Sequence, residues 1–337
     1  MLKIQENFSL KDYNSFNINA KCKFFAKCVN INQIKELLNN EEFKNERKLI
    51  LGGGNNILFT KDFNGIVIKP EIKGISIIKE TSDNIFIKAN AGEDWDEFVD
   101  YCVKNNWGGI ENLSLIPGKV GTSPIQNIGA YGVEVKDVIE EVETIDINNC
   151  EIATYNNEQC KFAYRNSIFK YELKGKVIIT SVIFKLSKNP LYKVHYGNLN
   201  LELEKYSELS LSTIRKAIID IRNNKLPDPK KIGNAGSFFK NPYISSKKAT
   251  ELKKYHSNIP IYPLPNGEVK IPAGWLIENT GWKGYKDNNI GVHKNQALVL
   301  VNYGRAKGND IYELACKIQE SVNKKFNILL TMEVNII

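Results

Sequence analysis

The sequence predicts an α+β fold divided into three domains, and three observations carry that prediction. At 337 residues the chain exceeds the roughly 100–200 residues of a usual single domain. Segments with the period of strands and segments with the period of helices both recur along it. Between them lies a long aperiodic stretch rich in glycine, the kind of loop that a compact domain keeps for function.

The first domain is expected over residues 1–70. An apolar run from Phe24 to Val29 reads as a strand, and Ile31, Ile34, Leu37 and Leu38 then recur at helical spacing. "KLILGGGNNILF" is a second strand that breaks into three glycines. The second domain, over 71–211, opens with the strands "GISIIKE" and "NIFIKANAG". A helix follows in which Trp95, Phe98, Val99 and Cys102 share a face, stopped at "NNWGG". The aperiodic stretch comes next, with Gly118, Gly121, Gly129 and Gly132, before strands resume around Ile139 to Ile147 and in "KVIITSVIFKL".

The third domain is expected over 212–337. Ser212 is positioned to cap a helix that turns Ile214, Ala217, Ile218 and Ile221 inward and halts at "KLPDP". Asn309 or Asp310 would cap the last helix, whose buried stripe is Ile311, Leu314, Ala315, Ile318 and Val322. In the terminal strand "ILLTMEVNII", Leu330, Met332, Val334 and Ile336 fall on one face and leave Glu333 on the other.

Composition narrows the functional classes. A formal net charge of +8 suits an anionic cofactor or substrate. The lysines are scattered, without the aromatic-basic alternation of a nucleic-acid face. The six cysteines show neither CxxC nor zinc-ligand spacing, which points to reduced thiols and no metal. With no signal-like run and no stretch of about 18 apolar residues, a cytoplasmic protein without a membrane segment is expected.

Two segments can carry chemistry on their own evidence. Glycines after a strand let successive peptide N–H groups approach a phosphate, so "LGGGNN" reads either as such a cradle or as a plain connection. "IPGKVGTSPIQNIGAYG" adds a second such loop with polar side chains, and the pair together could grip a large polar cofactor from two sides. Taken alone, Arg165 reads as an exposed strand residue, Glu333 as solvent-exposed and Ser237 in "GNAGSFFKNP" as a turn serine.

The stretches "YNSFNI", "LGGGNNIL", "IPGKVGTSPIQNIGAYGVEV", "FAYRNSIFK", "KLPDPKKIGNAGSFFKNP", "AGWLIENTGWKG" and "VHKNQALVLVN", with "EV" near the C-terminus, resemble the UDP-N-acetylenolpyruvoylglucosamine reductase family in its longer type I form. They occur in family order over nearly the whole chain. The resemblance implies a vanillyl-alcohol-oxidase-like FAD-binding unit made of the first two domains and a substrate-binding third domain. It implies reduction of UDP-N-acetylglucosamine enolpyruvate to UDP-N-acetylmuramate by an enzyme charged by NADPH and acting as a monomer. Hydride would pass from flavin N5 to the enolpyruvyl β-carbon.

By the same resemblance, Gly53, Gly54, Asn55 and Asn56 line one side of the FAD, and Pro117, Gly118, Gly121, Thr122, Ile125, Asn127 and Gly129 the other. Arg165 would meet the substrate carboxylate, with Tyr164 shaping the pocket. Glu333, protonated through burial, would hydrogen-bond the enolic form. Ser237 would give the α-carbon its proton, aimed by Gly233 and Gly236 while Phe238 and Phe239 exclude water. Lys225, with Tyr196, Asn241 and Gln296, would hold the diphosphate, and Arg222 could share the Lys225 face if the helix extends that far. Two positions depart from the family pattern: Asn55 stands where Ser is common, and Met332 where Pro is common. An oxidase of the same fold would often attach its flavin through His or Cys, and His195, His256 and His293 all lie outside the glycine segments.

Overall fold

A computed structural model describes residues 2–337 of the chain. They gather into two units: the larger takes in the chain up to Phe8, Cys22–Gly53 and Asn64–Asn224, and the smaller takes Ser9–Lys21, Gly54–Phe63 and Lys225–Ile337.

In the larger unit, a four-stranded sheet runs in the order Ile4–Ser9, Lys21–Cys28, Phe63–Pro70, Lys48–Ile50. The last two strands pair in parallel, with Ile50 opposite Ile68. The Ile31–Leu38 helix buries Ile34, Leu37 and Leu38, and Asn30 caps it by accepting from the Gln33 N–H. A second, five-stranded sheet is antiparallel throughout, in the order Ile152–Asn156, Ile139–Asp146, Val177–Ser187, Asn84–Asn90, Ile75–Glu80.

The Val177–Ser187 strand is apolar almost without alternation because both of its faces are covered. Ile179, Val182 and Phe184 pack with Trp95 and Phe98 of the Trp95–Lys104 helix. Ile178 turns the other way and joins Ile145 under the Ile31–Leu38 helix. Asp94 caps the Trp95–Lys104 helix by accepting from the Asp96 and Glu97 N–H groups. Beyond its end at Asn105, Asn106 takes φ +57°.

The smaller unit is built around the Gly308–Phe326 helix, which buries Ile311, Leu314, Ala315, Ile318, Val322 and Phe326. The shorter helices Ser246–Tyr255 and Ala273–Glu278 and short strand pairs complete it. Asn335–Ile336 pairs in parallel with Ile57–Leu58.

Three element boundaries differ from the sequence reading. The helix expected from Ser212 begins at Leu211, because buried Leu211 belongs to its inner face; Ser210 and Thr213 exchange hydrogen bonds at its start. The last helix begins at Gly308, where a Cβ would come within 1.8 Å of the Phe59 carbonyl oxygen. There Asp310 accepts from the Lys307 N–H from inside the first turn rather than preceding it. The long terminal strand breaks up: Leu330 and Val334 are buried as expected, but regular pairing is confined to Asn335–Ile336, with Met332 bridging Phe239.

Candidate functional site

In the larger unit the two glycine segments meet at Gly52 and Thr122. A Cβ on Gly52 would lie 2.2 Å from Thr122 Cγ2, and one on Gly121 would lie 2.5 Å from the Ala91 Cβ. The second segment is pinned from below: Trp95 N–H donates to Gly118 O at 3.1 Å, Val120 N–H to Glu93 O at 2.9 Å and Gly121 N–H to Ala91 O at 3.1 Å. Thr122 Oγ donates to Lys119 O at 2.8 Å and closes a single 3₁₀ turn over Val120–Thr122. Pro117 is exposed and Ile125 half-buried beside this turn, the Ile125 carbonyl accepting from Ser167 Oγ at 2.7 Å.

These glycines admit backbone where no side chain fits, and Lys69 Nζ donates to Gly52 O at 2.7 Å. Close backbone approach and a Gly53 N–H without an acceptor among the described residues suit a diphosphate, so these residues fit the FAD expected there.

Arg165 stands in a turn, not a strand. Ala163 and Asn166 exchange both backbone hydrogen bonds at 3.1 Å and close a hairpin on Tyr164 and Arg165. Arg165 takes φ +52°, a left-handed conformation that costs roughly 1–2 kcal/mol outside glycine. Its Nη1 donates to Asn127 O at 3.2 Å and its Nη2 to Gly129 O at 2.5 Å. The guanidinium carbon lies 5.3 Å from the Tyr164 ring centroid. A Cβ on Gly129 would meet Arg165 Nη1 at 2.9 Å, so this glycine leaves room for the cation.

Asn127 ties the arrangement together. Its Nδ2 donates to Ala163 O at 3.0 Å and Glu134 Oε2 at 3.1 Å, and its Oδ1 accepts from Lys136 N at 3.0 Å. Both ends of the amide are engaged within the protein, as are the backbone N–H, which donates to Pro124 O at 3.2 Å, and the backbone carbonyl. Its side chain holds the Arg165 hairpin.

Nearby in the same unit, Arg222 stands within electrostatic range of the Tyr131 hydroxyl, and burial holds the Arg222 guanidinium below its ordinary value. Burial likewise pushes the Tyr131 phenol up, against the Arg222 charge. The buried Arg222 Nε has no partner among the described residues. Exposed Tyr196 packs edge-on against Tyr131, centroids 6.5 Å apart. The helix does extend through Arg222 to Lys225, and Lys225 itself is exposed.

In the smaller unit, Ser237 and Glu333 lie on neighbouring segments. Phe239 bridges Met332, and the Glu333 N–H donates to Phe238 O at 2.8 Å. On its other side, Ser237 bridges Val299 and the Phe238 N–H donates to Leu298 O at 2.8 Å. Phe238 and Phe239 are 0% and 1% exposed, while Ser237 is exposed. Their rings therefore anchor the segment from within the core and do not screen the hydroxyl from water. Glu333 is half-buried rather than on an open face, and its carbonyl accepts from Asn56 Nδ2 at 3.4 Å.

Gly54, at φ +69°, approaches the Tyr13 carbonyl so closely that a Cβ would lie 2.0 Å from it. Asn55 and Asn56 are half-buried, and Asn56 O accepts from both Asn335 N and Nδ2 at 3.1 and 2.9 Å. Asn241 Oδ1 accepts from the Ala273 N–H at 2.9 Å, and Gln296 Oε1 would sit 3.2 Å from a Cβ on Gly274. These two amides thus meet at the start of one short helix.

Two positioning residues escaped the sequence reading. Asn234 Oδ1 accepts from the Gly236 N–H at 3.0 Å, an Asx turn that directs the chain into Ser237. Asn302 Nδ2 donates to Phe16 O at 2.7 Å, while the Asn302 N–H donates to Gly233 O at 2.8 Å. An asparagine two residues before a glycine was the available signal for the first; the second had none. Among the described residues, no group of His, Cys, Asp and Glu could hold a metal, and no helix is long and apolar enough to cross a membrane. The cysteines are free, and burial pushes the Cys22 thiol up to about 11 and those of Cys28 and Cys160 up to about 12.

Comparison with known proteins bears on both units. Residues 22–155 match an FAD binding domain family, and residues 228–337 match the family "UDP-N-acetylenolpyruvoylglucosamine reductase, C-terminal domain". The chain is 48% identical over 339 residues to the UDP-N-acetylenolpyruvoylglucosamine reductase of Flavobacterium johnsoniae, covering all of both chains. It is also 48% identical over 338 residues to that of Amoebophilus asiaticus, again with full coverage of both. The crystal structure of the UDP-N-acetylenolpyruvylglucosamine reductase from Thermus caldophilus superposes with a TM-score of 0.71 at 20% identity, over 100% of this chain and 99% of that one. That likeness bears out the α+β fold expected from the sequence. Full-length identity of this degree, with residues 22–155 matching an FAD binding domain, makes the chain a flavoprotein oxidoreductase and a member of the UDP-N-acetylenolpyruvoylglucosamine reductase family.

Proposed function

We propose that the protein reduces UDP-N-acetylglucosamine enolpyruvate to UDP-N-acetylmuramate, a step of peptidoglycan precursor synthesis, with NADPH as the source of electrons. The observation that carries this reading is the pairing of Ser237 with Glu333 through the Phe239–Met332 bridge and the Glu333 N–H to Phe238 O bond. It couples a hydroxyl and a carboxyl in one rigid piece of backbone, as protonation of an enolic carbon requires.

When bound, FAD supplies hydride to the enolpyruvyl β-carbon. The rest of the chemistry falls to the chain. Arg165 binds the carboxylate on which charge develops; its hairpin and two carbonyl partners fix the guanidinium before substrate arrives. Tyr164 backs that cation with its ring. Glu333 hydrogen-bonds the enolic oxygen, and Ser237 Oγ gives its proton to the α-carbon. A serine hydroxyl is a weak acid, so its exposed position requires that bound substrate itself displace water from it.

We assign Lys225, Tyr196, Asn241 and Gln296, together with Arg222, to the substrate diphosphate. Gly53, Gly54, Asn55 and Asn56, and the segment containing Pro117, Gly118, Gly121, Thr122, Ile125, Asn127 and Gly129, hold the FAD. The domain division at residues 70/71 and 211/212 belongs to the same reading, as do a monomeric state and a cytoplasmic location.

Product analysis tests it. Incubated with NADPH and UDP-N-acetylglucosamine enolpyruvate, the purified protein should yield a product heavier by two hydrogens. Consumption of NADPH without that product would contradict the assignment.

A further inference from the structure

Lys69 is a buried cation that the reaction leaves without a task. It is the penultimate residue of the Phe63–Pro70 strand, whose parallel partner Lys48–Ile50 leads straight into the glycine turn. The ladder continues past the partner strand, the Leu51 N–H donating to Ile68 O at 2.9 Å. This register brings Lys69 Nζ to 2.7 Å from Gly52 O and 2.9 Å from Glu71 Oε1. The residue is 8% exposed.

Burying an ammonium costs several kcal/mol unless it is paired, and a nonpolar side chain would fill this space without that cost. Glu71 neutralises the charge, so net charge is not what the pair contributes. What an ammonium does here that a methionine cannot is hold the Gly52 carbonyl. Because a peptide unit is planar, a carbonyl held on one side sends the next N–H to the other. Anchoring Gly52 O on Lys69 therefore directs the Gly53 N–H away from Lys69. Among the described residues that N–H has no acceptor. Contact of Gly52 with Thr122 blocks the turn from shifting sideways. A flipped peptide would instead present a carbonyl oxygen where an anion is to bind.

We propose that the Lys69–Glu71 pair is a positioning device that locks the Gly52–Gly53 peptide with its N–H turned toward the FAD diphosphate. This rests on the FAD reading above. Neither residue touches the ligand; both act through the backbone of the turn.

Amide hydrogen exchange and flavin titration of the apoprotein test it together. In the wild type, FAD should slow exchange in the peptide spanning residues 51–56, whereas riboflavin, which lacks the diphosphate, should not. Absence of FAD protection there overturns the proposal without any variant. In Lys69→Met, or Lys69→Gln if the first does not fold by circular dichroism, exchange of the 51–56 peptide should rise in the apoprotein. The Kd for FAD, from quenching of flavin fluorescence, should rise at least tenfold, with the Kd for riboflavin changed less than twofold. Unchanged FAD affinity, or equal losses for FAD and riboflavin, would overturn the lock. A wild type that binds no FAD would instead sink the functional reading, and the exchange of the variants would still decide whether Lys69 holds the turn.

Discussion

The two units hold their candidate residues by opposite means. In the larger unit Arg165 is over-determined: a left-handed backbone, a two-residue hairpin and two carbonyl acceptors leave its guanidinium little freedom. In the smaller unit the backbone around Ser237 is pinned on both sides and underlain by two buried phenylalanines, yet the hydroxyl itself is exposed. The difference follows from the chemistry each has to do. A cation that stabilises developing charge is most effective when its orientation is settled beforehand. A proton donor needs a fixed origin and an accessible tip. Substitutions should therefore separate the units: changes around Arg165 should cost both stability and activity, and changes at Ser237 activity alone.

The largest effect is expected from Ser237→Ala. Loss of the proton donor should lower kcat by about 10²–10⁴-fold, with FAD content and thermal midpoint unchanged. A variant that turns over at the wild-type rate would remove Ser237 from the reaction. Gly52→Ala comes next. Its Cβ would sit 2.2 Å from Thr122 Cγ2, so purified protein should lose most of its flavin absorbance, and full retention would show that the turn can shift.

Arg165→Ala should lower kcat/KM and also destabilise the larger unit. Two charge-assisted hydrogen bonds disappear, each worth roughly 1.5–3 kcal/mol, and relief of the carbonyls by water recovers part of that. A loss of activity with no change in denaturant midpoint would contradict the over-determined hairpin.

The smallest effect concerns pH. Burial opposes ionisation of Glu71 and Glu143, but the lysines paired with them, Lys69 and Lys88, hold both carboxyls below the ordinary value of 4.5. Their stabilisation of the larger unit is present above that value and is lost as pH falls through the lower folded one. In the smaller unit His293, with Nδ1 buried and unpartnered among the described residues, is held below 6.5, first by burial and then by Lys294. Its contribution is likewise present above 6.5 and declines as pH falls below it. Denaturant melts at pH 7.5 and 5.5 should show a small loss that His293→Phe removes, since at both values the two glutamates remain ionised. An identical loss in the variant would point to another group.

Much of the fold was legible because apolar period and glycine position are local signals. The helices at Ile31 and Trp95, the doubly buried "VIITSVIF" strand and the two glycine segments all declared themselves. Boundaries set by distant contacts did not. The start of the last helix depends on Gly308 meeting the Phe59 carbonyl, a contact across about 250 residues of chain. The fate of "ILLTMEVNII" was likewise decided by partners far away in sequence, Phe239 and Ile57–Leu58.

The site was legible in outline only. Residue pattern alone reached two anion cradles and a turn serine, and the resemblance named Arg165, Ser237 and Glu333. A tight hairpin carrying arginine at positive φ defeats propensity reasoning, since nothing in "FAYRNS" announces it. Nothing in "IQNIG" shows that the Asn127 side chain braces the Arg165 hairpin. Nor does "GSFFK" show that consecutive burial makes Phe238 and Phe239 an anchor for Ser237 rather than its shield.

One spectroscopic experiment tests the central claim most directly. Purified protein is followed through the flavin absorbance band under anaerobic conditions while NADPH and then UDP-N-acetylglucosamine enolpyruvate are added in turn. The account predicts a yellow protein that NADPH bleaches and that recovers its colour on addition of the enolpyruvyl substrate. A colourless protein, or a bleached one that regains colour with oxygen but not with the substrate, would contradict it.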